Sequence, residues 1–234
     1  MEPDPSAPPS PAVRAQLLAT EHWSLLASRS TAQGEVLTRI TIHLTLVSAG
    51  LVTLGLLGRA VPSVGGFPVA AIGVLAFLVL VGLMTQIRVG SVADQDMQYV
   101  IAMNRLRAAY VDLDPGVERY FLAASHDDEA GMRRTYSLIL VEGVSHVFGS
   151  SFMLVFTVNG LLVGLLGASV VSVAGGAALL ATVVGVVLGA GFVGGSLLWG
   201  IRHYDRTWRT YRPIRPHSPS DAGASGSAPG NDAE

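Results

Sequence analysis

The sequence predicts an all-α membrane four-helix bundle, made of two transmembrane hairpins with a cytosolic helical insertion between spans 2 and 3. Residues 143–201 contain no Asp, Glu, Lys or Arg, which is an uncharged run of 59 residues. As one helix this run would measure about 88 Å at 1.5 Å per residue, whereas a bilayer core is about 30 Å thick. The run must therefore cross, turn and cross back. Two more apolar segments, 40–57 and 67–87, each suit one span.

Composition excludes several classes of protein. The chain is 50 % hydrophobic and 14 % charged, and its formal net charge is −2, so it has no bulk basic surface for nucleic acid. It has no cysteine, which excludes disulfides, thiolate metal sites and cysteine nucleophiles. No GxSxG, HExxH, P-loop or dinucleotide-binding motif occurs in a suitable context. We therefore expect no enzyme activity, no cofactor and no metal.

The first part of the chain leads into the first hairpin. Residues 1–12 are rich in proline and are predicted to be disordered. Residues 13–39 predict a helix. Trp23 and the three arginines of this segment favour a position at the membrane surface, and the alternative is a soluble helix that packs on a neighbouring cytosolic segment of the chain. Residues 40–87 predict the first hairpin, which turns near Pro62.

The second part alternates between cytosolic and apolar segments. Residues 88–136 predict cytosolic helices, one of which ends at Asp114-Pro115-Gly116. Ser125-His126-Asp127-Asp128 has the spacing of a capping box and predicts the start of another helix. Residues 137–201 predict the second hairpin, with its turn bracketed by Gly167-Ala168-Ser169 and Gly175-Gly176. A basic juxtamembrane helix is expected at 202–216 and a disordered tail at 217–234.

Arginine counts predict the orientation. All fifteen basic residues are arginine: three lie in the N-terminal segment, six in 88–141 and five after residue 201, but only one in the two hairpin turns. Because cytoplasmic loops carry the excess of basic residues, we expect both termini and residues 88–136 in the cytoplasm and the chain in the cell (plasma) membrane.

Ionisable residues inside the third span form the candidate polar face. Glu142 and His146 are four residues apart, and Thr157 continues their side of the helix. His43 in the first span is placed to join them. Such residues face a bundle interior or a water-filled cavity, so the pair is either a proton or ion position or an interfacial contact that fixes helix packing.

Two further sets of residues predict contacts. Small residues at spacings of four let helix backbones approach closely, either within the second hairpin or between subunits; these are Gly160, Gly164, Ala181, Gly185 and Gly189. Arginines after the last span either bind anionic lipid or only set the topology; these are Arg202, Arg206, Arg209, Arg212 and Arg215. His126 to Glu129 could hold a divalent cation, but acidic residues at a helix start explain this cluster more simply.

Three short stretches of the sequence carry a resemblance to a family. They are Glu21-His22-Trp23-Ser24-Leu25-Leu26-Ala27, Met103-Asn104-Arg105-Leu106-Arg107 with Tyr110, and Tyr120-Phe121 followed by His126-Asp127-Asp128. The chain thereby resembles, over roughly residues 20 to 140, uncharacterised bacterial integral membrane proteins with four spans. The resemblance implies the same architecture and no assigned activity.

These observations lead to two functional hypotheses. The first is a non-enzymatic membrane protein that acts as scaffold, sensor or regulator through its helical bundle and cytosolic helices. The second is a small ion or proton channel or transporter that uses the Glu142/His146 face. The lipid bilayer is the expected partner; a homo-oligomer and a cytosolic protein bound through 88–136 are left open.

Overall fold

A computed structural model describes residues 9–60, 67–137 and 151–217, and over these residues the chain is all-helical. Helix α1 comprises Pro11–Ala60, α2 Phe67–Leu113, α3 Glu129–Ser137, α4 Ser151–Val173 and α5 Ala178–Thr210. A short 3₁₀ helix, Pro115–Tyr120, follows α2. Four of these helices, α1, α2, α4 and α5, are long and apolar enough to cross a membrane.

The chain divides into two compact units. The polar unit comprises residues 1–30, 95–141 and 210–234, and the apolar unit comprises 31–94 and 142–209. The core of the apolar unit includes two clusters of buried aliphatic residues. One contains Val36, Ile40, Val89, Val92 and Val155, and the other contains Val47, Leu75, Leu78 and Leu162.

Helices α1 and α2 are longer than the sequence analysis predicted. We expected 13–39 and 40–57 as separate helices, and likewise the span 67–87 and the cytosolic helix that ends at Asp114. Each pair is instead one uninterrupted helix, of 50 and 47 residues respectively. No proline lies between Pro11 and Pro62. Gly34 inside a helix costs only about 1 kcal/mol relative to alanine, which is too little to end one.

The turn between α4 and α5 lies only at the second of the two predicted glycine positions. Gly175 adopts a φ of +81°, which a residue with a side chain rarely adopts. Its N–H donates to Ser172 O at 3.1 Å, and the N–H of Gly176 donates to Val171 O at 2.9 Å, which is the Schellman pattern. Gly167, by contrast, stays within α4.

Two other helix boundaries differ from expectation. Asp128, not Ser125, caps α3, because its Oδ1 accepts the backbone N–H of Gly131 at 2.8 Å. The basic helix predicted for 202–216 ends at Thr210, three residues before Pro213. The predicted stop after α2 matches the structure: α2 ends at Leu113, and Asp114 caps the 3₁₀ helix by accepting the N–H of Gly116.

Candidate functional site: a buried polar network in the apolar unit

Asn159 of α4 is fully buried and holds the centre of a polar network. Its Nδ2 donates to the carbonyl oxygen of Gly82 and to Oε1 of Gln86, both at 2.9 Å. Because Nδ2 makes both donations, Oδ1 is left as the acceptor for Nε2 of His43, which lies 3.1 Å away. We therefore assign the proton of the His43 ring to Nε2.

His43 is the α1 member of this network, and it is fully buried. Its second ring nitrogen, Nδ1, has no hydrogen-bond partner. A proton on Nδ1 would be an unsatisfied donor, and the ring a buried unpaired charge, which is costly in apolar surroundings. The contacts thus fit a neutral ring that donates from Nε2.

Gln86 carries the network from α2 to α5. Its Nε2 donates to Oγ of Ser196 at 3.1 Å, while its Oε1 accepts from Asn159. All four long apolar helices therefore contribute one side chain. The close approach of Asn159 requires a glycine at position 82, because a Cβ there would clash with Oδ1 of Asn159.

The chemistry of these groups favours a structural role. Two of the four side chains are carboxamides, which neither gain nor lose protons near neutral pH. The network links His43 to Ser196 only through Asn159 and Gln86, and neither of these carboxamides is a titratable proton carrier. What it does is fix the pairing of the helices, since interhelical hydrogen bonds in a membrane contribute about 0.6 kcal/mol each.

The predicted polar face is only partly described by the structure. Glu142 and His146 lie outside the described residues. His43 is buried against Asn159, whereas Thr157 is exposed. Within the described part of the chain, His43 and Thr157 therefore do not line one common face. The partner of His43 is Asn159 of α4, so this hydrogen bond joins two helices.

The glycines of the second hairpin pack α4 directly on α5. A Cβ on Gly164 would lie 2.7 Å from the carbonyl oxygen of Gly185, and one on Gly189 would lie 2.8 Å from that of Gly160. Ala181 is buried as well. Of the two alternatives, the structure thus places this row inside one chain. Gly191 and Gly195, by contrast, have no atom within 4 Å of a Cβ.

The five candidate lipid-binding arginines fall into two groups. Arg202, Arg206 and Arg209 lie exposed on α5, whereas Arg212 and Arg215 follow its last residue. Arg215 belongs to the polar unit, where its guanidinium donates to Asp112 Oδ1 at 2.8 Å and to Ala108 O at 3.2 Å.

Asp127 is the buried carboxylate of the polar unit, with no exposed surface. Its Oδ2 accepts from Nε of Arg105 at 2.7 Å, from the hydroxyl of Tyr211 at 3.0 Å and from the backbone N–H of Ile214 at 2.9 Å. Its Oδ1 accepts the backbone N–H of Arg215 at 2.7 Å. Tyr211, Ile214 and Arg215 are therefore all bound by one carboxylate that is 84 to 88 residues earlier in the chain.

Electrostatics at this carboxylate favour its ionised form. Burial alone would raise the pKa of Asp127, but the hydrogen bonds from Ile214 and Arg215, together with those from Arg105 and Tyr211, outweigh burial and lower that pKa. Burial and the same carboxylate raise the pKa of Tyr211, which keeps its hydroxyl proton as a donor.

The remaining acidic residues of the predicted cation cluster are also engaged. Asp128 Oδ2 accepts the backbone N–H of His217 at 2.6 Å, and Glu129 pairs with Arg133 at 2.8 Å. Among the described residues, no group of three or more His, Asp and Glu could hold a metal ion. The cluster caps a helix and binds the C-terminal segment.

Sequence reasoning missed Gly82, Gln86 and Ser196 in the apolar unit and the pairing of Asp127 with 211–217. Gln86 carried a usable signal, since it is a carboxamide at the end of an apolar span. Comparison with family models, with curated proteins and with solved structures found no match.

Proposed function

We propose that the chain is a multi-pass membrane protein of non-enzymatic type that acts as scaffold, sensor or regulator through its helical bundle and its polar unit. Only 11 to 33 % of the residues in the most apolar window of each long helix are buried within the chain. Large apolar side chains such as Leu161 and Val186 are about two thirds exposed, at 64 % and 65 %. Water disfavours such surface, whereas bilayer hydrocarbon accommodates it.

The proposed topology is two hairpins in the cell membrane, with both termini and residues 88–136 in the cytoplasm. It rests on the arginine distribution, in which fourteen of fifteen arginines lie outside the two hairpin turns. Exposed Trp199, followed by Arg202, suits the boundary between hydrocarbon and headgroups.

The observation that carries the choice of a scaffold over a transporter is the network around Asn159. Two of its four side chains are carboxamides, which bond to one another and, through Asn159, to the backbone carbonyl of Gly82. A site of this kind holds helices in register and has no group that changes charge with a transported proton, apart from His43 at its end. The polar unit, with its buried Asp127 and Asn104, then supplies the ordered surface for cytosolic partners.

A flux measurement in proteoliposomes tests this choice. The full chain is reconstituted, and proton and potassium fluxes are compared with those of protein-free liposomes across pH 5 to 8. We expect no flux above the control. A pH-dependent flux that Glu142→Gln abolishes would refute the scaffold and establish the channel or transporter instead.

Reporter fusions test the membrane placement independently. Fusions ending at Ser63, Asp114 and Asp221 should report outside, inside and inside, respectively. An outside signal at Asp114 would contradict the topology, and a chain recovered in the soluble fraction would refute the membrane assignment itself.

A further inference from the structure

A groove of about 330 Å³ lies in the apolar unit between α2 and α5. Gln86 contributes its α2 wall, and the α5 wall consists of Gly191, Phe192, Gly195, Ser196 and Trp199. Its volume is at the lower end of small-molecule pockets, which suits part of a lipid rather than a whole one. The groove is open because both glycines leave space where a side chain would stand.

The groove is apolar along its length but has hydrogen-bond donors at one place. Ser196 accepts from Gln86 and, within the described residues, its own hydroxyl proton has no acceptor. This contrasts with Ser169 and Ser172, whose hydroxyls donate to the carbonyl four residues earlier. The second proton of the Gln86 amide likewise has no acceptor among the described residues. A matching ligand therefore carries an acceptor oxygen on an apolar body.

Positive charge continues along the same face of α5. Residues seven apart lie on the same face of a helix. Arg202 lies seven residues after Gly195 and Arg206 seven after Trp199, and Arg209 lies seven after Arg202, so all three arginines are on the groove side of α5. Arg202 is exposed and makes no ion pair with any described residue. At 1.5 Å per residue, Ser196 and Arg202 are about 9 Å apart along the axis.

We propose that this groove binds an anionic phospholipid of the bilayer. An acyl chain lies over Gly191 and Gly195, an ester carbonyl accepts from Ser196 or Gln86, and the phosphate lies against Arg202. Along the lipid the order is acyl chain, ester and phosphate, and along α5 the matching order is the two glycines, Ser196 and Arg202. This inference rests on the proposed membrane placement.

Quenching of tryptophan fluorescence by brominated lipids tests the proposal. The variant Trp23→Phe/Trp208→Phe keeps Trp199 at the groove as the only tryptophan, and it is reconstituted with chain-brominated phosphatidylglycerol or phosphatidylcholine. We expect phosphatidylglycerol to quench at lower mole fraction. Arg202→Gln should reduce that preference about fivefold, since one arginine near an anionic surface contributes roughly that factor.

Glycine variants provide the matched control. Gly195→Leu fills the groove and should remove the preference, whereas Gly194→Leu, on the same helix and equally free of contacts but outside the groove, should keep it. Should the tryptophan double variant fail to fold, a photoactivatable chain-labelled phosphatidylglycerol on the natural sequence serves instead. Its adducts should map to 191–199, and unlabelled phosphatidylglycerol should suppress them better than phosphatidylcholine does.

Equal quenching by the two lipids, unchanged in Gly195→Leu, would overturn the groove proposal while leaving the membrane placement intact. Loss of chemically cross-linked dimers in Gly195→Leu, with no quenching at Trp199 by either lipid, would overturn it in favour of a second copy of this chain. If the protein does not float with vesicles of either lipid, the proposed function fails as well.

Discussion

The carboxylate of Asp127 offers the sharpest test of how the polar unit is held together. It has no exposed surface and accepts four hydrogen bonds, three of them from the segment 211–217. The fourth comes from the guanidinium of Arg105, which also donates to the Tyr211 hydroxyl at 2.9 Å. Replacement of Asp127 by asparagine keeps the volume and removes the charge.

The expected loss follows from the contacts. In the least damaging orientation, the asparagine oxygen takes the place of Oδ2, and its amide nitrogen then faces the N–H of Arg215, where two donors meet. That lost bond to a charged acceptor costs about 1.5–3 kcal/mol. Arg105 also loses its ionic partner, and breaking a buried pair from one side costs about 3–5 kcal/mol. Because Arg105 is partly exposed, we expect a total near 3 kcal/mol.

Hydrogen exchange on the full chain in detergent measures this loss where it occurs. A loss near 3 kcal/mol should speed exchange of the Ile214 and Arg215 amides about 100-fold. Asp112→Asn is the matched control, because its pair with Arg215 is about half exposed and such pairs contribute about 0–1 kcal/mol. Equal protection in the two variants would refute the assignment of Asp127 as the residue that holds 211–217.

Three other outcomes are expected. Hydrogen bonding lowers the folded-state pKa of Asp127, so the stability that Asp127 contributes is fully present above its unfolded pKa of about 3.9 and is lost as pH falls through the lower folded pKa. A decrease in the hydrogen-exchange protection of residues 211–217 between pH 8 and pH 5 would contradict this. Gly185→Leu should abolish the folded bundle, since even its Cβ would lie 2.8 Å from a facing backbone oxygen, whereas Gly191→Leu should melt like the natural chain. Asn159→Leu should destabilise the bundle by about 2 kcal/mol, because it removes three hydrogen bonds. A melting curve in detergent measures this loss, and Thr157→Leu at an exposed position is the control. Equal melting temperatures of the two variants would exclude a stabilising network.

Length and apolarity made the helical class predictable, because the uncharged run at residues 143–201 is too long for one span and therefore predicts two helices joined by a turn. Helix ends were less predictable. Gly175 ends α4 with a positive φ and is followed by a second glycine, whereas Gly167 is followed by alanine and stays within the helix. Asp128 and Ser125 are both acceptable caps, and contacts of Asp128 with His217 help to decide between them.

The candidate sites depended on contacts between distant parts of the sequence. Asn159 could be recognised as a polar residue in an apolar span, but its partners lie 73 to 116 residues away. Gly82 matters only because Asn159 approaches its carbonyl, which no local pattern indicates. The Glu142/His146 hypothesis stays a prediction, because both residues lie outside the described part of the chain.

The two units use different polar chemistry, and the difference follows from their surroundings. In the apolar unit, Asn159 and Gln86 bond without net charge, so their pairing does not depend on pH and costs little desolvation in hydrocarbon. In the polar unit, Asp127 and Arg105 are charged, and the exposed edge of Arg105 lets water share the solvation of the pair. Buried polar groups can select one packing over its alternatives in both cases. This division of labour suits the scaffold or regulator that we propose, because uncharged bonds link the four long apolar helices while a charged pair holds part of the polar unit.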